Sequence, residues 1–91
     1  MGKERKIFKN EERRSRTEVS AFLRQLAEKV DSGNVVLRQG GQETRLDLPH
    51  NLILEIQVEE EDKKSKGIQY SLEVEIKWFE GDDSGGPLEL G

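Results

Sequence analysis

Between Val19 and Val30 the apolar residues fall at Val19, Phe22, Leu23, Leu26, Ala27 and Val30. That spacing of three, four and seven draws one stripe along a helix of period 3.6. The other side of the same segment carries Arg16, Glu18, Arg24, Glu28 and Asp31. Ser15 and Glu18 stand in an S-x-x-E arrangement, which satisfies unpaired N–H groups at a helix start, with Thr17 a competing cap. Gly33 supplies the left-handed residue that ends the helix. The pattern predicts a helix from Arg16 to Ser32 with a single dry side.

After Gly33 the period changes to two. "NVVLRQGGQETRLDLP" reads as a hairpin turning at Gly40-Gly41, because glycines permit the positive φ that tight turns require. Pro49 ends its second strand, since it donates no ladder hydrogen bond. "NLILEIQVEEE" alternates Leu52, Leu54, Ile56 and Val58 against Ile53, Glu55, Gln57 and Glu59. "IQYSLEVEIKW" alternates Ile68, Tyr70, Leu72, Val74, Ile76 and Trp78 against Gln69, Ser71, Glu73, Glu75 and Lys77. The short polar loop between these two long strands predicts antiparallel pairing. "RKIFKNEE" reads as a short edge strand, although Ile7 and Phe8 are adjacent and only one of them can face a core. Residues 81–91, "GDDSGGPLELG", read as a disordered tail.

The elements assemble, on this reading, into one α+β domain over residues 1–80, in the order β-α-β-β-β-β. One amphipathic helix packs on a four- to five-stranded antiparallel sheet, a two-layer sandwich. Phe22, Leu23, Leu26 and Val30 would meet Leu54, Ile56, Tyr70, Leu72, Val74, Ile76, Leu46, Leu48 and either Val35 or Leu37. The far face of the sheet would be polar and open, as antiparallel sheets allow. Trp78 closes the dry row, and Phe79 is the one outward aromatic, at the strand end.

Composition narrows the function classes. The 91 residues are 32% hydrophobic and 37% charged, and none is Cys. Disulfides and thiolate metal sites are thereby excluded, and the absence of Cys fits a reducing compartment. No apolar run reaches the roughly 20 residues of a membrane span, and the first residues lack an apolar signal core. Gly2 is followed by Lys, Glu, Arg and Lys, which is no myristoylation signal. A cytoplasmic protein without membrane attachment is the expectation.

The net charge of −4 is unevenly spread. Residues 1–16 hold Lys3, Arg5, Lys6, Lys9, Arg13, Arg14 and Arg16 against Glu4, Glu11 and Glu12, while the rest of the chain is acidic. Residues 1–6 read as a flexible basic arm. Either the basic segment is neutralised on the acidic sheet, or it binds a polyanion.

No catalytic constellation emerges. His50, the one histidine, follows Pro49 in a turn, and no G-x-S-x-G surrounds a serine. The acidic runs at 59–62 and 81–86 match no calcium-loop pattern. Gly40-Gly41 lacks the Lys-Ser/Thr of a phosphate loop. Glu73 and Glu75 share a face roughly 7 Å apart, but an open face keeps carboxylates at ordinary acidity. That face also lacks the aromatics on which RNA bases stack. No enzyme activity and no cofactor are expected.

"SRTEVSAFLRQLAEKVDSGNVVL", a hairpin, "LDLPHNLILEIQVEEE" and a strand closing in "LEVEIKW" together resemble the amphi-Trp domain family, named for an amphipathic segment with a terminal Trp. Trp78 matches that residue. The resemblance spans about Ile7 to Trp78 and implies a shared fold, with no activity or catalytic residues to carry over. The remaining expectation is a small protein-interaction or accessory domain, monomeric or weakly dimeric. Its candidate surface comprises Glu55, Gln57, Gln69, Ser71, Glu73, Glu75 and Lys77, with Arg13 and Arg14 in the basic segment. The alternative is a polyanion-binding accessory protein in which nucleic acid is held by that segment alone.

Overall fold

The computed structural model describes residues 2–81. The chain divides between Leu48 and Pro49 into two compact units.

In the first unit, helix α1 runs Arg16–Ser32. Ser15 caps it: its side chain accepts from the Glu18 N–H at 3.0 Å, and the Glu18 carboxylate accepts from the Ser15 N–H at 3.1 Å. Two N–H groups that the first turn leaves without carbonyl partners are satisfied together. At the other end Gly33 takes φ +85 and its N–H donates to the carbonyls of Lys29 and Val30, both at 3.1 Å. The left-handed residue turns the chain directly into strand β1, Asn34–Gln39, which pairs antiparallel with β2, Gln42–Asp47. Gly40 takes φ +60 while Gly41 stays negative, the pattern of a type II′ turn.

The β1–β2 register places Val35 opposite Leu46 and Leu37 opposite Thr44 on one face, with Val36, Arg45, Arg38 and Glu43 on the other. Helix α1 packs against β1. Val35 is 5% exposed, the one hydrophobic residue fully buried among those described. Leu26 and Val30 of α1, with Leu46 of β2, are half-buried. Leu48 N–H closes the unit on the Gly33 carbonyl at 2.8 Å.

The second unit is a long hairpin. Strand β3, Ile53–Asp62, pairs antiparallel with β4, Ile68–Lys77. Between them a single 3-10 turn, Lys64–Lys66, is held by the Asp62 carboxylate accepting from Lys64 N–H at 2.8 Å. The Gly67 carbonyl accepts from Lys63 N–H, also at 2.8 Å. Leu54–Ile76, Ile56–Val74, Val58–Leu72, Glu60–Tyr70 and Asp62–Ile68 form the rows of one face. Ile53–Lys77, Glu55–Glu75, Gln57–Glu73, Glu59–Ser71 and Glu61–Gln69 form the rows of the other.

Two expectations are corrected. Residues 2–15 carry no strand, so the described order begins with α1. Ile7 is 63% exposed and Phe8 half-buried. An adjacent apolar pair among charges gives a strand no dry face to bury. The single four- or five-stranded sheet is also replaced, by two separate two-stranded sheets. Each ladder closes across a short turn, where loop-closure entropy is smallest, whereas Pro49 interrupts the chain between β2 and β3. Leu54, Ile56, Tyr70, Leu72 and Val74, expected in the core, are all exposed. The tail expected over 81–91 lies outside the described residues from residue 82 onward.

Candidate functional site

The alternation of β3 and β4 gathers Glu55, Gln57, Gln69, Ser71, Glu73, Glu75 and Lys77 onto one face of the hairpin, as their spacing predicts. Glu55 and Glu75 face each other directly across the ladder, a repulsive arrangement for like charges. Lys77 relieves it. Its ammonium lies 2.8 Å from Glu55 and 3.9 Å from Glu75. The hydrogen bond from Lys77 holds the Glu55 carboxyl below its usual range, and the same bond raises the Lys77 ammonium.

One row further on, Gln57 stands opposite Glu73 and its amide donates to Glu59. A shallow cavity of about 350 Å³ is lined by Glu55, Gln57, Glu73, Val74 and Glu75. Glu59 and Glu61 belong to this face by register. The sequence reading placed Glu59 there but did not include it in the candidate surface. Lys63 pairs with Glu61 at 3.2 Å. The face is therefore acidic along its length, with its cations at the two ends.

Arg13 and Arg14 lie in the other unit, in the segment before α1. Arg14 Nε donates to Glu12 at 2.7 Å, and its other nitrogens reach Glu12 and, at 3.4 Å, Glu18. These contacts, Glu12 first, raise the Arg14 guanidinium. Glu12 is itself held low by the Asn10 side-chain amide and by Arg14. The pairing has a physical reason: a cation beside a helix N-terminus is unfavourable, and the two carboxylates offset it. Among the described residues no ion pair involves Arg13, Lys3, Arg5, Lys6, Lys9 or Arg16.

A larger groove of about 760 Å³ lies within the first unit, lined by Phe8, Val19, Phe22, Val36 and Leu37 with Arg14 and Arg38 among its polar residues. Sequence spacing gave no sign of it, because it depends on how residues 8–14 lie beside α1 and β1. Among the described residues no group of three or more His, Asp or Glu is arranged to hold a metal ion. Among the described residues no helix is long and apolar enough to cross a membrane. His50 is exposed.

The Glu18 carboxyl is held low, first by the Ser15 N–H. A depressed folded-state value stabilises above the unfolded-state value, about pH 4.3, and that contribution is lost as pH falls through the folded-state value. Acidification from about pH 5 to about pH 3 is expected to lower the thermal midpoint of the wild type more than that of Glu18→Gln, whose amide does not titrate. Equal losses in circular dichroism melts would remove the capping carboxylate from the acid response.

One amphipathic helix and two antiparallel hairpins define a small α+β domain with a Trp at the end of its last strand. The chain belongs to the Amphi-Trp domain family, whose model matches residues 1–91. Neither the curated proteins nor the solved structures give a match. The match names a domain family and no specific function.

Proposed function

We propose that this chain is a non-enzymatic protein-interaction module acting in the cytoplasm. One observation carries the reading: β3 and β4 form a ten-residue-long hairpin whose faces are both exposed and chemically opposite. Long strands with uncovered faces offer side chains to a partner surface, and strand edges offer it backbone groups. The polar face, with Glu55, Glu73 and Glu75 along it and Lys77 at one end, suits a partner bearing cationic side chains.

The test uses the full chain as bait at moderate salt, beside a form lacking residues 1–16 and a Glu73→Lys, Glu75→Lys double variant. The expected result is a protein partner kept by the full chain and the truncated form and lost by the charge-swapped one. Retention by the double variant would take the polar face out of the interaction.

The unpaired cations of residues 3–16 support a second reading, polyanion binding. It predicts nucleic acid retained by the full chain alone and released by salt, because bound counterions compete for the phosphates. Binding that persists without residues 1–16 would eliminate it.

A further inference from the structure

We infer that the apolar face of the β3–β4 hairpin is covered by the same face of a second copy of this chain. The inference concerns the opposite side of the hairpin from the partner-binding face and stands independently of it. Register puts eight apolar side chains on this face, from Leu54 and Ile76 at one end to Ile68 at the other. Val58 and Leu72, which pair at its middle, are 72% and 70% exposed. A two-stranded hairpin with a bare apolar face is marginal in water and requires another layer. Among the described residues of its own unit the hairpin has no such layer. Helix α1 packs against β1 in the other unit, with Val19, Phe22 and Leu23 of its stripe still exposed.

Area favours a second copy. Burying eight aliphatic or aromatic side chains removes roughly 60–120 Å² each, or about 500–950 Å² per copy. Two such faces together bury about 1,000–1,900 Å², the range of a standard stable interface. Flat sheet faces stack about 10 Å apart, with strand directions within about 30°.

Charge sets the arrangement. The only charged residues of this face are Glu60 and Asp62, both near the loop end. A two-fold axis between the Ile56–Val74 and Val58–Leu72 rows sends the two acidic ends to opposite ends of the sandwich. The same axis lays Trp78, next in the apolar alternation, over the partner copy's loop end, where its indole N–H meets carboxylates. Stacking in the same direction would crowd all four carboxylates together. Both polar faces are left outward.

The full chain is tested by sedimentation at micromolar concentration, beside Val58→Glu and a spin-labelled Glu73→Cys. The chain has no other Cys, and Glu73 lies on the polar face in the row that the axis crosses. The expected results are twice the chain mass for the wild type, the single chain mass for Val58→Glu, and a label separation of roughly 25 Å through the sandwich. A wild type that stays monomeric overturns the inference and assigns the face to α1 of the same chain or to another protein. A folded Val58→Glu that remains dimeric overturns it too, as does a label separation beyond about 40 Å. If Val58→Glu loses its circular dichroism spectrum, the label separation decides. A monomer that still captures a partner through Glu73 and Glu75 sinks the dimer and leaves the proposed function standing.

Discussion

Val35→Asp is expected to unfold the α1–β1–β2 unit, with loss of the helical circular dichroism signal. Val35 is 5% exposed and stands opposite Leu46 on β2, with α1 packed against its strand. An unpaired buried charge costs several kcal/mol even after its acidity shifts. At roughly 0.05–0.15 kcal/mol per residue, a unit of this size has about 2–7 kcal/mol in total. The substitution therefore removes most or all of the margin. Val35→Ala grades the effect, because it removes buried methyl groups without adding charge. Its cost is about 2 kcal/mol, and each kcal/mol moves the midpoint of a small domain by about 4–8 °C. A Val35→Asp variant that melts like the wild type would show that the unit has its core elsewhere.

Gly33→Val is expected to cost about 1–3 kcal/mol, the strain of a side chain held in a left-handed conformation. Gly33 sits at φ +85, which a β-branched residue adopts least readily. A Cβ there would stand 3.6 Å from the Leu48 carbonyl oxygen, an ordinary contact, but the extra methyl groups of Val bring atoms closer. The chain cannot relax the angle cheaply. The Gly33 N–H closes the helix on Lys29 and Val30, and its carbonyl accepts from Leu48. Asn tolerates this region better than other non-glycine residues. Thermal midpoints should fall in the order Gly, Asn, Ala, Val. Equal midpoints for Asn and Val would mean that φ at this position is not a constraint.

The elements were legible in the sequence wherever their cause is local. The stripe from Val19 to Val30, the Ser15–Glu18 box and Gly33 gave the helix its observed bounds, Arg16–Ser32. Gly40-Gly41 marked the first hairpin turn, and period-two alternation assigned residues 53–59 of β3 and all of β4 to their observed faces. The same alternation assembled the candidate residues Glu55, Gln57, Gln69, Glu73, Glu75 and Lys77. Arg14 was legible as a charge but not as a paired one. Its engagement by Glu12 and Glu18 depends on side-chain geometry around the helix start.

The sequence by itself thus determined the helix, its caps, the two hairpins and the chemistry of each face. Those depend on residue spacing, backbone permissiveness and hydrogen bonds between near neighbours. Only the tertiary structure decided that Ile7 and Phe8 form no strand, that the strands close as two ladders, and that Val35 alone among the described hydrophobic residues is fully buried. Alternation says that a face is dry. It does not say what lies against it, because layer packing depends on shape and area matched across long sequence separations, and local spacing carries no record of that match.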